Sequence, residues 1–227
     1  MSLSNLQISP IYKSKDCNVI KDFYVPVLSQ SKHYDRVSAY FDSKILSLYA
    51  SGIEHIYKNG GKIRFIFSYD ISESDYKMMI DGYNNKDKIE KELKNKISST
   101  DIDIDFSNLA YLVSIGIVEI KIAFTSPGIF HDKYGLMYDD EDNYLYFRGS
   151  NNETIAAILN NYESFETTTS WDCSSNEKFK IKSAINDFEN LWYNRKRGVI
   201  VKEIPDCVKE KIISYSKWKI VLSFTEN

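Results

Sequence analysis

Arg36-Val-Ser-Ala-Tyr-Phe41, then Ser43–Asn59, then Gly60-Gly61 and Lys62-Ile-Arg-Phe-Ile-Phe67, read as one unit. The first and last runs carry β-branched and aromatic residues and predict strands. Between them Ile45, Leu46, Leu48, Tyr49, Ile53, Ile56 and Tyr57 fall at helical spacing. Asn59-Gly60-Gly61 is a helix-stop signal, because glycine adopts the left-handed conformation that closes a helix. Strand, helix and strand joined in this way predict a parallel pair with a right-handed crossover.

Outward from that unit the chain continues in short segments. Ile117–Phe124, Phe130–Tyr138, Tyr144–Arg148 and Ser164–Thr169 read as further strands. Asp22–Ser29, Phe106–Ile115, Glu153–Asn161, Asn176–Tyr193 and Pro205–Tyr215 read as helices, and Ser72–Ser98 as a polar, Lys-rich helical stretch. The expected fold class is α/β: a mixed, largely parallel β-sheet flanked by helices on both faces, with a short helical C-terminal extension. Residues 1–198 are expected to form one domain. Residues 199–227 are expected to be a linker and helix leading to a further domain of a longer parent chain.

The 227 residues are 43% hydrophobic, enough for one sizeable core. No apolar run approaches the ~20 residues that span a bilayer, and no basic-then-apolar leader opens the chain. No membrane partner is therefore expected. Three scattered cysteines, Cys17, Cys173 and Cys207, predict reduced thiols and a cytoplasmic setting. His33, His55 and His131 do not pair with them at ligand spacing, so no metal and no cofactor is expected. A net charge of −3 excludes a whole-molecule basic field, so phosphate recognition has to be local.

Such a local site is legible in His131-Asp132-Lys133, followed by Gly149-Ser150-Asn151-Asn152-Glu153-Thr154. On a strand, His131 and Lys133 share a face and Asp132 takes the other. A neutral imidazole can attack phosphorus to give a phosphohistidine, and an ammonium neutralises the non-bridging oxygens. Ser150 and Asn152, at the expected start of a helix, can donate to the same oxygens. A carboxylate at Glu163 could hold His131 in one tautomer. The candidate catalytic set is thus His131, Lys133, Ser150, Asn152 and Glu163. Lys133, Ser150 and Asn152 would bind the phosphate.

His131-x-Lys133, Gly149-Ser150-x-Asn152 and Asn161-x-Glu163 together resemble the phospholipase D superfamily. Tyr40-Phe41, Asn59–Ile63, Leu109–Leu112, Gly128–Gly135, Asn161–Ser164 and Ser170-Trp171 resemble one branch of it. That branch is the domain at the N-terminus of bacterial DEAD/DEAH-type restriction and defence helicases, and the resemblance spans roughly residues 35–195. It implies metal-independent phosphodiester cleavage of DNA and a helicase domain in the same parent chain. Members with one motif dimerise, so the single motif here implies a homodimer with its active site at the subunit interface. The superfamily pattern puts an Asp five residues after the Lys. Here that place is Tyr138, and Asp139 follows it.

Other functions remain open on the sequence: a non-catalytic DNA-binding and dimerisation module of a helicase, a lipid phosphodiesterase, or a sensor of a phosphorylated small molecule. Several features also have plain structural readings. Ser150–Glu153 matches a capping box. Asp139–Asp142 reads as a solvated hairpin turn, because calcium-loop spacing is lacking. Trp192 falls on the apolar stripe of its helix and reads as core. Arg195-Lys196-Arg197 reads as a charge complement at a helix end.

Overall fold

A computed structural model describes residues 2–41, 45–68, 112–113, 115–125 and 128–204. The expected helices at Ser72–Ser98 and Pro205–Tyr215, and most of that at Phe106–Ile115, lie outside the described residues.

The parallel pair expected of the opening unit is present, but its first strand lies three residues earlier than the expected Arg36–Phe41. Strands β2 (His33–Ser38) and β3 (Lys62–Ser68) pair in parallel, with Arg36 opposite Phe65. The intervening helix is broken in two, α2 (Ile45–Leu48) and α3 (Ala50–Lys58). The break falls at Tyr49, whose φ of −125° and ψ of 32° leave the helical region. Its ring is fully buried. At the exit Gly60 takes φ +64°, and Gly61 lies so close to the chain before β2 that a Cβ would stand 1.8 Å from the Lys32 carbonyl oxygen.

The described sheet has eight strands in the order β1-β7-β6-β5-β2-β3-β4-β8. The other strands are β1 (Ile11–Lys13), β4 (Val118–Phe124), β5 (Tyr134–Tyr138), β6 (Tyr144–Gly149), β7 (Ser164–Thr169) and β8 (Ile200–Glu203). The sheet is mixed, but parallel pairing is confined to β2–β3 and β3–β4. The remaining neighbours are antiparallel. The expectation of a largely parallel sheet is corrected on this point. The turn Asp139–Asn143 is too short for a crossover and forces β5 and β6 into a hairpin. Strand β8 pairs with β4, with Phe124 opposite Ile200, so the described sheet extends past residue 198.

Alternation along β2 sends Tyr34, Arg36 and Ser38 to one face, and Asp35 and Val37 to the other. On the first face lies an aromatic-rich core of Phe23, Tyr24, Tyr34, Tyr49, Phe65, Phe147 and Phe165. It is covered by α2, α3 and α1 (Val25–Leu28), which follows a π-helical turn, Ile20–Tyr24. On the second face α4 (Ser175–Trp192) packs Ile181, Phe188, Leu191 and Trp192 over Val37, Ile66 and Leu136. Trp192 is core, as its place on the stripe predicts. Arg64 ties α4 to the sheet. It donates to both carboxylate oxygens of Asp35, at 2.7 and 2.6 Å, and to Glu189 at 2.8 Å, with its guanidinium over Phe188.

Candidate active site

Antiparallel pairing brings four strand ends to one edge of the sheet. The C-terminal ends of β2 and β6 meet the N-terminal ends of β5 and β7, with Val37 opposite Tyr134, Tyr134 opposite Arg148, and Gly149 opposite Phe165. His131 and Lys133 precede β5, Ser150 and Asn152 follow β6, and Glu163 precedes β7. Residues more than thirty positions apart in sequence thus share one edge.

The strand expected at Phe130–Tyr138 begins only at Tyr134, so His131–Lys133 lies outside the ladder, just before β5. Its side chains still diverge as alternation requires. Asp132 turns to Arg148, whose Nη2 donates to it at 2.7 Å. Lys133 folds over His131. Its Nζ lies 3.1 Å from Nδ1, 3.1 Å from Nε2 and 3.2 Å from the His131 carbonyl oxygen. An ammonium can donate only to the ring nitrogen that lacks a proton. His131 is exposed, whereas Lys133 is buried. Burial and then the nearby Arg36 charge lower the Lys133 pKa, and Glu163 and Asp132 counteract part of that.

Across the edge, Gly149 allows β6 to approach β7. A Cβ there would lie 2.1 Å from the Ser164 carbonyl oxygen. Ser150 N donates to that oxygen at 3.0 Å, and Ser150 Oγ donates to Glu163 Oε2. Asn161 Nδ2 donates to the other Glu163 oxygen at 3.2 Å. The Glu163 backbone N–H donates to Ser14 Oγ at 2.9 Å, which anchors this turn to the residue after β1. Glu163 therefore positions Ser150. Its described bonds are to Ser150 and Asn161, not to His131. The tautomer-holding role expected of Glu163 is not made within one chain.

Asn152 accepts at Oδ1 from Tyr40 N and from Ser38 Oγ, both at 3.3 Å. With Oδ1 engaged in this way, Nδ2 is the part of the amide left for a ligand. Beside it the Tyr40 ring is half exposed, with its centroid 6.5 Å from that of His131.

The helix expected at Glu153–Asn161 is a single π-helical turn, Ala156–Asn160. Ser150 is not its cap. Thr154 Oγ1 accepts from Ala157 N at 3.2 Å instead. The capping-box reading of Ser150–Glu153 is likewise overturned. The Glu153 side chain is fully buried and ion-paired to Arg36, which is also fully buried, at 2.8 Å. Tyr34 OH donates to Glu153 Oε2 at 3.2 Å, and Tyr49 OH donates to Oε1. Burial and the Glu153 charge push both phenols well above their ordinary pKa, so they remain donors. Sequence offers little signal for this pair, because Arg36 shares β2 with His33, Asp35 and Ser38 and its partner lies 117 residues later.

Among the described residues no group of three or more His, Cys, Asp and Glu side chains could hold a metal ion, and no helix is long and apolar enough to cross a membrane. No model of a known protein family and no curated protein matches the sequence. Solved structures similar to this chain include NucT from Helicobacter pylori, at 14% identity and a TM-score of 0.48 over 84% of this chain and 96% of that one. Nuc from Salmonella typhimurium, a phospholipase D family member, is similar at 14% identity and a TM-score of 0.47 over 86% and 97%. Yeast tyrosyl-DNA phosphodiesterase is similar at 14% identity and a TM-score of 0.40 over 66% of this chain and 27% of that one. Likeness at this level leaves the chemistry to be read from the chain's own residues.

Proposed function

We propose that this chain is a metal-independent phosphodiesterase that cleaves DNA, as the nuclease module of a restriction-type helicase. The observation that carries the reading is Lys133 Nζ set 3.1 Å from the exposed His131 imidazole. A nucleophile and a fixed positive charge then stand together, at the edge where Ser150 and Asn152 also lie. Lys133 supplies the charge neutralisation that a phosphoryl transition state requires.

In the proposed reaction an imidazole nitrogen lone pair forms the N–P bond as the P–O bond to the leaving oxygen breaks. The leaving oxygen takes its proton from a second imidazole. Water then adds to phosphorus, gives a proton back to that imidazole, and breaks the N–P bond. Asn152 Nδ2 donates to the non-bridging oxygens. Ser150, held by Glu163, lies next to them. The second imidazole is assigned to His131 of a partner chain, because one His-x-Lys motif occurs here. Ile129, 56% exposed, and half-exposed Tyr40 are, among the described residues, apolar surface near His131 that such a partner could cover.

The test is incubation of single- and double-stranded DNA in EDTA, with His131→Ala alongside and phosphatidylcholine as a control. Metal-free DNA cleavage lost in His131→Ala is the expected result, with acid-labile phosphate trapped on the wild-type protein. DNA binding without cleavage would favour the non-catalytic module. Turnover of the lipid alone would overturn the choice of DNA.

A further inference from the structure

We infer that the buried Arg36–Glu153 pair is a positioning device for Asn152, and that Ser38 transmits its geometry to the Asn152 amide. The inference rests on the phosphodiesterase reading for its effect on rate, but not for its effect on structure.

Residues 151–153 pass the end of β2, with Glu153 bridged to Phe41, and Arg36 holds the segment on both sides of Asn152. Nη2 donates to the Asn151 carbonyl oxygen at 2.6 Å, and Nε donates to the Glu153 carboxylate at 2.8 Å. Tyr34 and Tyr49 donate to the same carboxylate, and Asn151 Nδ2 donates to Tyr24 OH at 3.1 Å. Both neighbours of Asn152 are thereby fixed. Ser38 completes the link. Its Oγ accepts from Glu153 N at 2.9 Å and shares its one proton between the Tyr40 carbonyl oxygen at 2.8 Å and Asn152 Oδ1 at 3.3 Å, while Tyr40 N donates to the same Oδ1.

This arrangement is poorly suited to stability alone. Two ions are fully desolvated, and Arg36 Nη1 and Asn151 Oδ1 are buried without a partner among the described residues. Apolar side chains of similar size would fill the same volume without those costs, and such replacements are often neutral or stabilising. What apolar side chains could not do is grip a backbone carbonyl and a side-chain carboxylate two residues apart. Aiming Asn152 Nδ2 requires that grip, since a misplacement of about 1 Å at a reacting group costs roughly 100-fold in rate.

The double variant Arg36→Met with Glu153→Leu separates the two roles. It leaves no lone buried charge. It strands the Tyr34 and Tyr49 hydroxyls and the Asn151 carbonyl oxygen, so a lower melting temperature with the fold retained is expected. On a minimal phosphodiester in EDTA its kcat should fall about 100-fold with KM within about threefold. Ser38→Ala should lose rate in the same kcat-selective way, and Ser38→Thr should restore most of it. Side-chain amide NMR of Asn152 in the unliganded protein reads the positioning directly. The two amide proton shifts, displaced from random-coil values in wild type, should move towards random-coil values in the double variant and in Ser38→Ala.

Unchanged Asn152 signals in Ser38→Ala overturn the inference whatever the activity. So does a double variant, or a Ser38→Ala variant, with wild-type kcat. Should the double variant fail to fold, Ser38→Ala decides alone. Wild type that cleaves nothing would sink the phosphodiesterase reading, and the Asn152 signals would still judge the clamp.

Discussion

Lys133 places a charge in a buried position next to the proposed nucleophile, and the two consequences oppose each other. Burial first, and then the Arg36 charge, hold its pKa below the ordinary lysine value. A Lys with a lowered folded pKa binds its proton more weakly in the native chain than in the unfolded one. Stability therefore rises with pH between the folded and the unfolded value, and below that window the penalty is fully present. Lys133→Met should remove the penalty at neutral pH and raise the melting temperature by about 2–4 °C for each kcal/mol recovered. The same change should lower kcat by about 100–1,000-fold, because a charge aimed at the transition state is gone. Calorimetry and turnover on one preparation check both signs. A variant both less stable and less active would mean that Lys133 is a packing residue. In the wild type, the alkaline limb of the rate profile should fall below the ordinary lysine value, as Lys133 loses its proton.

The elements differ in how openly the sequence declares them. Lys62–Phe67 is legible because a strand covered on both faces must be nearly continuously apolar. The three-residue β1 and four-residue β8 are not, since so short a run at a sheet edge carries no period to detect. Strand direction is hidden for another reason. Periodicity reports which residues face the core, not which neighbour a strand pairs with. Only the shortness of the Asp139–Asn143 turn fixes β5 and β6 as antiparallel. The site divides in the same way. His131, Lys133, Ser150, Asn152 and Glu163 are legible as a motif, whereas the burial of Glu153 depends on Arg36 in a distant strand.

Asp139 ties the far end of β5 to the N-terminal segment. It stands at the end of β5 remote from His131 and accepts from Leu3 N at 2.8 Å, Ser2 Oγ at 3.1 Å, and the amides of Glu141 and Asn143. Burial raises its pKa, but the bonds from Asn143, Leu3 and Glu141 outweigh that and leave it below the usual value. A carboxylate depressed in this way stabilises the fold above the unfolded pKa, and the contribution is lost as pH falls through the folded value. Asp139→Ala should cost about 1–3 kcal/mol, speed amide exchange at Leu3, and leave metal-free cleavage unchanged. A cleavage defect without faster exchange at Leu3 would place Asp139 in the chemistry instead.

At the scale of the whole molecule the question is how many chains make one site. The described sheet edge holds one imidazole in reach of Lys133, and the proposed reaction uses two, one attacking phosphorus and one serving the leaving oxygen. A site shared between two copies has a quantitative signature. When wild type and His131→Ala are mixed and allowed to exchange subunits, only dimers with both His131 side chains complete the cycle. Activity should then follow the square of the wild-type fraction, roughly one quarter at an equal mixture. A self-contained site would follow the fraction itself and keep roughly half. Ile129→Asp on the exposed surface beside His131 gives a second handle. It should shift the sedimenting species to monomer and abolish cleavage together, because one surface serves both association and catalysis. A monomeric Ile129→Asp protein with full activity would show that His131, Lys133 and Asn152 of a single chain suffice.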